Sequence, residues 1–450
     1  MNSITTKLAV LLAGAGLVLA GLAGRAALDD DGEGADSTPA ANAAELDVSM
    51  PSTGPGVYTT QQQADFWAGR VDINPDDYLS RSKLASTLVR QARETGDTAL
   101  YDQAGSELQQ VLATNPDDIS ARTSLATVRL SQHRFDDAAR LATAVYATDP
   151  GSLDALAVLG DAQLESGDYD GARATFEQLG AASSAPAVLI RLSNLARIEG
   201  DPEALTLARD AAAGARALDL AGESRAFYEA TYAQELFDRG RVDEAAAHYE
   251  AALEQYPPYH IGLEGLAKVR IAQGRPEDAE ALYLQVRAIT PPPDFPLLVS
   301  LGDLATSAGD TDAASDYYAE ALTAADGVDV TGPLYAREFS RYYSDHDLEP
   351  ERALALAQAD LAHRRDVYAY DTLAWALYRN QRYAAAESAA EQALATGIKD
   401  PSVLYHAGMI AAARGDKDNA AELLGQALEL NPDFDVLQAP VARATLAAQV

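Results

Sequence analysis

Small apolar residues return at fixed places among larger ones along the chain, most regularly in two consecutive units of about 34 residues within residues 367–432. Ala374 and Gly408 occupy the same place in the first predicted helix of their units, and Ala386 and Ala420 occupy the same place in the second. Helices whose axes lie about 8–10 Å apart need small residues where their backbones meet. The pattern therefore predicts pairs of closely packed α-helices.

Helix-breaking residues keep the same period further upstream. Gly240 and Gly274 are 34 residues apart, as are Pro116 and Pro150. Gly can adopt the positive φ of a tight turn, whereas Pro cannot continue a helix. One helical pair cannot bury its apolar face alone, so successive pairs must stack. Small residues occupy the corresponding places of earlier helices, namely Ala126, Gly160, Ala233, Ala267 and Gly302 in first helices and Ala138, Ala172, Ala245, Ala279 and Ala314 in second helices.

This pattern resembles the tetratricopeptide repeat (TPR). The resemblance implies an all-α fold, an α-solenoid of about nine to ten stacked helix-turn-helix repeats that forms a right-handed superhelix. We expect the repeat array to span residues 76–435, between an N-terminal capping helix in residues 58–75 and a C-terminal capping helix in residues 436–450. One unit departs from the pattern, because Asp345-His346-Asp347 stands where a glycine turn is expected.

The N-terminus differs in composition from the repeat array. After Lys7, the residues from Leu8 to Leu22 form an uninterrupted run of Leu, Ala, Val and Gly. A basic start before such a run is typical of an export signal, so we assign residues 1–28 to an N-terminal signal or membrane anchor. The run is shorter than the about 20 residues of a membrane-spanning helix, and both an uncleaved anchor and a cleaved signal stay open. Residues 29–57 are acidic and of low complexity, which predicts a flexible linker.

Composition narrows the range of partners and chemistry. The formal net charge is −34, with 34 basic and 68 acidic residues, which argues against nucleic acid because phosphate backbones are bound by clustered Lys and Arg. The chain has no cysteine, so it has no disulfide and no thiolate metal site. Zinc-protease, phosphate-loop and nucleophile-elbow motifs are absent, and the six histidines are scattered. We expect no catalytic residues, no metal site and no cofactor.

The resemblance also implies where a partner would bind, because first helices line the inner groove of the family's solenoids. Carried over to the two most regular units, the groove positions hold Tyr368, Asp371, Trp375, Tyr378, Arg379, Tyr405 and His406. Aromatic and Arg side chains often dominate interface energies, but the same aromatic residues could equally pack between repeats. Family members that clamp a terminal carboxylate use basic residues and Asn in adjacent first helices, and Arg191, Asn194 and Arg197 are the nearest approach to that set.

These observations together predict a non-catalytic extracytoplasmic scaffold that binds a protein or peptide in its concave groove. The protein would be exported and held by a single-pass anchor in the cell membrane, facing outside the cytoplasm, or would be secreted or periplasmic if the signal is cleaved. Two alternatives remain. One is an envelope complex assembly factor with a structural solenoid, and the other is a small-ligand-binding or enzymatic accessory protein.

Overall fold

The structure, a computed structural model, describes residues 58–291, 295–324 and 329–449. Within these ranges the chain forms 22 α-helices and no β-strand. The all-α solenoid that the repeat pattern predicts is therefore confirmed. The predicted export segment, residues 1–28, and the predicted linker, residues 29–57, lie outside the described residues.

Twenty of these helices form ten consecutive pairs, each made of a first and a second helix that pack along each other. The first helices are α2 Tyr78–Thr95, α4 Ile119–Ser131, α6 Leu153–Ser166, α8 Pro186–Ile198, α10 Glu223–Asp238, α12 His260–Ala272, α14 Phe295–Ala308, α16 Ala336–Asp345, α18 Val367–Arg379 and α20 Pro401–Arg414. The second helices are α3 Ala99–Thr114, α5 Phe135–Thr148, α7 Tyr169–Ala182, α9 Glu203–Ala217, α11 Val242–Gln255, α13 Pro276–Ile289, α15 Thr311–Ala324, α17 Pro350–His363, α19 Tyr383–Leu394 and α21 Lys417–Leu430.

One further helix lies at each end of the described array. Helix α1 (Thr60–Ile73) packs on α2 and buries Trp67, while α22 (Gln438–Gln449) packs on α20 and α21 and buries Ala442. Both helices cover apolar faces that the first and last pairs would otherwise expose to water.

Small residues allow the two helices of a pair to approach closely, as predicted. A Cβ atom at Gly160 would lie 2.3 Å from the Phe176 ring, and one at Gly302 would lie 2.3 Å from the Tyr318 ring. The alanines at equivalent places, including Ala126 and Ala138, are fully buried. The large ring of one helix therefore fills the space that the small residue of its partner leaves open.

The turn between the two helices of a pair contains a residue with positive φ at the same place in every pair, and the turn after α16 contains a second one, Glu349. The residues at the shared place are Gly96, His133, Gly167, Gly200, Gly240, Gly274, Gly309, Asp347, Gln381 and Gly415. Three units lack a glycine at this place, and His133, Asp347 and Gln381 make the same turn there with φ of 54–57°. The geometry of this turn is thus kept even where a side chain must accept the left-handed conformation.

First helices face the inside of the solenoid, and second helices face outwards. In each half of the array, neighbouring first helices contact one another, as α2 contacts α4 and as α18 contacts α20. Neighbouring second helices contact the first helices on either side of them instead. The inner surface is therefore built almost entirely from first helices.

Candidate partner-binding cavity

The solenoid winds so tightly that helical pairs five positions apart contact each other. The turn after α6 meets the loop before α18, where the Arg365 amide donates a hydrogen bond to the Ser166 carbonyl at 3.1 Å. The turn after α8 meets the loop before α20, and a Cβ at Gly200 would lie 1.9 Å from the Gly397 carbonyl oxygen. We call this line of contacts the inter-turn seam.

The inter-turn seam reaches from the first helical pair to the last. Near its start, the His260 ring donates to the Arg93 carbonyl at 3.2 Å, and the Arg93 guanidinium pairs with Glu223 at 3.1 Å. At its end, the Asn431 side-chain amide donates to the Phe237 carbonyl at 2.7 Å. Contacts between residues about 130 to 200 positions apart therefore hold the two windings together.

A buried cluster of charged residues lies at the middle of the seam, where the His133 ring contacts the Pro333 carbonyl at 3.2 Å. Asp360 accepts from Nε of Arg337 at 2.9 Å and of Arg364 at 2.8 Å, and Asp366 accepts from Arg337 at 2.7 Å. Burial alone would raise the pKa of Asp360, but the two guanidinium groups outweigh it and lower that pKa. Burial, followed by the nearby Arg364, lowers the pKa of His133 to about 3, so this histidine is neutral. The cluster is balanced in charge, which a buried ionic group requires.

A cavity of about 440 Å³ lies between the two windings, and all ten first helices contribute side chains to it. Its lining includes the acids Glu165, Glu223, Glu235, Asp238, Glu264, Asp303, Glu338, Asp345, Asp366, Asp371, Asp400, Asp433 and Asp435. The cations in the lining are Arg93, Arg197, Lys268 and Arg341. Thirteen acids against four cations make the wall strongly acidic.

The pKa values of the cavity acids reflect this crowding. Burial, followed by the neighbouring Glu235 and Asp400, raises the pKa of Asp238 to about 7. Burial, followed by the neighbouring Asp366, raises the pKa of Glu165 to about 8. Loss of hydration and nearby like charge both disfavour the ionised form of a carboxyl group. At neutral pH the cavity therefore binds protons on some of its acids.

Three of the predicted groove residues form a buried aromatic cluster. Trp375 is 1% exposed, and its ring stacks on Tyr378 at 4.7 Å and on His406 at 4.4 Å between ring centroids. Its indole N–H donates to Asp345 at 2.8 Å. Tyr405 is also buried and packs beside the Trp375 ring. This burial favours the packing alternative for Trp375, Tyr405 and His406, and their role in partner binding stays a prediction.

The other predicted residues differ in how far they reach the inner surface. Tyr368 and Asp371 line the cavity, and the Tyr368 hydroxyl accepts a hydrogen bond from Arg197. Asp371 also accepts from the His406 ring at 2.9 Å. Arg379 is partly exposed and lies 4.5 Å above the Trp375 ring, while Tyr378 is partly exposed as well. The structure thus brings only two of the seven side chains to the cavity wall.

The basic residues that approach a carboxylate clamp are already paired. Arg191 is 1% exposed and forms a bidentate ion pair with Asp161 at 2.8–3.0 Å. Arg197 pairs with Glu235 at 3.3 Å. Asn194, between them, lines the cavity. These arginines therefore offer no open fork for the terminal carboxylate of a peptide.

The acidic wall was not predicted from the sequence, although the sequence contains one signal for it. Glu165, Asp238 and Asp345 all lie in the last turn of a first helix, where the helix dipole disfavours negative charge. Acids at such positions destabilise their helices, so their presence indicates a role other than helix stability. Their assembly around one cavity could not be foreseen, because it depends on which pairs meet across the seam.

The described part of the chain contains no group of three or more His, Cys, Asp or Glu residues arranged to bind a metal ion. His346, in the Asp345-His346-Asp347 turn, instead contacts the Tyr342 carbonyl at 2.7 Å and Asp303 at 2.8 Å. Across the same residues, no helix has both the length and the apolar character needed to cross a bilayer. The predicted anchor, residues 1–28, lies outside this part of the chain.

Comparison with known families agrees with the helical pairs. One tetratricopeptide repeat model matches residues 129–189 and 236–302, and another matches residues 372–433. The chain is a tetratricopeptide repeat protein. Proteins with TPR repeats are typically non-catalytic scaffolds that bind other proteins. No curated protein matches this TPR chain closely enough to count as a relative.

Several solved structures resemble the TPR chain at low sequence identity. The APC/C hetero-tetramer Cut9-Hcn1 is 12% identical over 87% of this chain and 93% of that one, with a TM-score of 0.32. Yeast Tom70 is 13% identical over 87% of this chain and 93% of that one, with a TM-score of 0.38. A tetratricopeptide repeat protein from Parabacteroides merdae is 12% identical over 58% of this chain and 92% of that one, with a TM-score of 0.40.

Proposed function

We propose that this TPR protein is a non-catalytic scaffold outside the cytoplasm that binds a protein or peptide partner on the inner surface of its solenoid. Residues 1–28 direct its export and either anchor it in the membrane or are removed as a signal. The observation that carries the proposal is the cavity between the windings, to which every first helix contributes. A segment bound there would contact many repeats at once, which is how solenoids use their concave surfaces.

The size of the cavity limits the form of the partner. At about 440 Å³ it lies within the range of about 300–1,000 Å³ that is typical of sites for small organic molecules. A folded domain cannot enter such a volume. The bound part of the partner is therefore an extended segment or a few protruding side chains.

Site-specific cross-linking tests the binding surface. The chain has no cysteine, so a single introduced cysteine gives one unique attachment point. Lys268→Cys places the thiol in the cavity wall, and Leu284→Cys places it on an outward-facing helix, where Leu284 is 43% exposed. With a short thiol-to-amine reagent in intact native cells, we expect a discrete cross-linked partner from position 268 and none from position 284. The same products from both positions, or products from position 284 alone, would contradict the proposal.

Cell fractionation with N-terminal sequencing tests the location. We expect the full chain in the membrane fraction if residues 1–28 act as an anchor, or a shortened chain in the extracytoplasmic soluble fraction if they are cleaved. An intact chain in the cytosol contradicts export in either form.

A further inference from the structure

The cavity wall carries more negative charge than its own cations balance. Its thirteen carboxylic acids stand against three arginines and one lysine. Two of these acids need no further partner, because Arg337 pairs with Asp366 and Glu165 is protonated at neutral pH, and eleven remain against four cations. Removing a carboxylate from water costs free energy, which a cation or several hydrogen bonds must offset. One of the four cations already has a partner, since Arg93 forms an ion pair with Glu223. The surplus of acids is the first observation that points to a positively charged occupant.

The surplus is concentrated between the end of α10 and the start of α20. Arg197 faces this region, but its guanidinium pairs with Glu235 at 3.3 Å and donates to the Tyr368 hydroxyl. Asp238 forms no ion pair with any residue that the structure describes, and neither does Asp400. Asp238 also ends its helix, where the dipole adds further negative potential. Two carboxylates thus share one cation that already has other partners.

Polar atoms without partners lie in the wall of the same cavity. Tyr259 is 1% exposed, and its hydroxyl has no hydrogen-bond partner among the described residues. Asn194 is 4% exposed, and its side-chain nitrogen likewise has none within the described ranges. Buried polar atoms are normally satisfied, and a hydroxyl can accept a hydrogen bond from an N–H group. This second observation, independent of charge, also indicates a ligand.

We propose that the cavity binds a ligand that carries aliphatic ammonium or guanidinium groups, which neutralise the carboxylates around Asp238 and Asp400 and donate to the Tyr259 hydroxyl. The inference rests on the proposed function, because it uses the same cavity and specifies the chemistry of its occupant. Two sources supply this chemistry, a free polyamine and the Lys or Arg side chains of an extended peptide. Both are slender enough for a cavity of about 440 Å³.

Calorimetric titration of the purified full chain tests the proposal. The probes are spermidine, a blocked Gly-Lys-Gly-Lys-Gly peptide, the same peptide with Gln in place of Lys, and magnesium chloride at equal ionic strength. We expect one saturable site for spermidine, for the Lys peptide or for both, and none for the Gln peptide or magnesium. Spermidine alone would identify a free polyamine as the occupant, and the Lys peptide alone would identify a basic segment.

Matched variants separate the cavity from the general charge of the protein. The double variant Asp238→Asn/Asp400→Asn should weaken binding at least about tenfold, and Asp312→Asn/Asp316→Asn, which removes the same charge from exposed positions on α15, should leave it within about twofold. Asp400 caps α20 by accepting from the Ser402 and Val403 amides at 2.9 and 3.2 Å, and Asn is as good an N-cap as Asp, so the start of α20 is kept. Equal losses in both double variants, or titrations that do not saturate, would overturn the proposal.

Tyr259→Phe keeps the test decisive if the double variant does not fold. It removes only a hydroxyl with no partner among the described residues, so folding is expected to be unaffected. We expect about threefold to tenfold weaker binding, and unchanged binding would overturn the proposal. If the partner still cross-links at position 268 while no cationic probe binds, this inference fails and the scaffold function stands.

Discussion

Replacing Gly200 with alanine should separate the two windings of the solenoid at one point. Gly200 and Gly274 occupy equivalent turns, with φ of 67° and 70°. Alanine in this left-handed region costs about 1–2 kcal/mol at either position. Only Gly200 lies at the inter-turn seam, because its Cβ would be 1.9 Å from the Gly397 carbonyl oxygen, whereas a Cβ at Gly274 would have no neighbouring heavy atom within 4 Å.

The difference in unfolding free energy between Gly200→Ala and Gly274→Ala therefore measures how sensitive the inter-turn seam is to the added methyl group. To accept the new methyl group, the Gly397 backbone must move by about 1 Å or more, and overpacking of this kind costs about 1–3 kcal/mol. We expect Gly200→Ala to lower the free energy of unfolding by about 2–5 kcal/mol and Gly274→Ala by about 1–2 kcal/mol.

Urea unfolding followed by circular dichroism gives the two free energies, and hydrogen exchange locates the change. Amides in residues 197–202 and 395–400 should exchange faster in Gly200→Ala, because both segments lie at the disturbed contact. Gly274→Ala should leave those amides unchanged. Equal losses of stability, with unchanged exchange in both segments, would refute the inter-turn seam.

Three further predictions follow from the packing and the charges. Trp375→Ala should lower the free energy of unfolding by about 3–5 kcal/mol in urea denaturation, because the ring is 1% exposed. Arg337→Met should cost about 3–5 kcal/mol, because it leaves two buried carboxylates, Asp360 and Asp366, with Arg364 as their one remaining arginine, whereas Arg352→Met, at an exposed ion pair, should cost less than about 1 kcal/mol. The pKa of Asp238 rises from 3.8 to about 7 on folding, so its contribution to stability is full below about pH 4 and is lost as the pH rises to about 7. Asp238→Asn should therefore flatten the fall in unfolding free energy over that range relative to Asp316→Asn.

Each of these predictions has an outcome that contradicts it. If Trp375→Ala has near-normal stability but no longer binds its partner, Trp375 belongs to the binding surface and not to the packed core. Comparable losses in Arg337→Met and Arg352→Met would show that the buried cluster adds nothing to the seam. An unchanged pH slope in Asp238→Asn would show that this carboxyl ionises as it does in the unfolded chain.

The helical pairs could be predicted because the information for them is local. Each pair carries its own small residues, its own turn and its own helix end, so a period of about 34 residues specifies the stacking. Even the units without a turn glycine follow the rest, since His133, Asp347 and Gln381 adopt the same positive φ. Packing against both neighbours outweighs the local preference of one residue.

The winding of the array could not be predicted in the same way. Small rotations between successive pairs add up, and their sum decides whether pair five meets pair ten. The contact between Gly200 and Gly397 joins positions that no repeat period connects. The cavity depends on this sum, and so does the clustering of its acids.

The predicted groove residues show that the family pattern does not distinguish positions on the inner surface from positions packed between repeats. Positions on a first helix that face the inner surface are neighbours of positions that face the next repeat. Tyr368 falls on the cavity wall, but Trp375, two turns along the same helix, falls among packed rings. A sequence gives the helical face to within about one residue, which does not separate these environments.

Cross-linking across the inter-turn seam tests directly whether the two windings of the solenoid meet and so create the cavity. Asp201 and Lys399 are exposed and lie on opposite sides of the seam, with the Lys399 side chain 3.4 Å from the position of a Cβ at Gly200. In this cysteine-free chain, Asp201→Cys/Lys399→Cys treated with a short bis-maleimide should form an intramolecular cross-link in high yield. Arg275→Cys/Lys399→Cys, which uses the equivalent turn away from the seam, should form little. Low yield from the first pair, or equal yield from both, would contradict the closed solenoid.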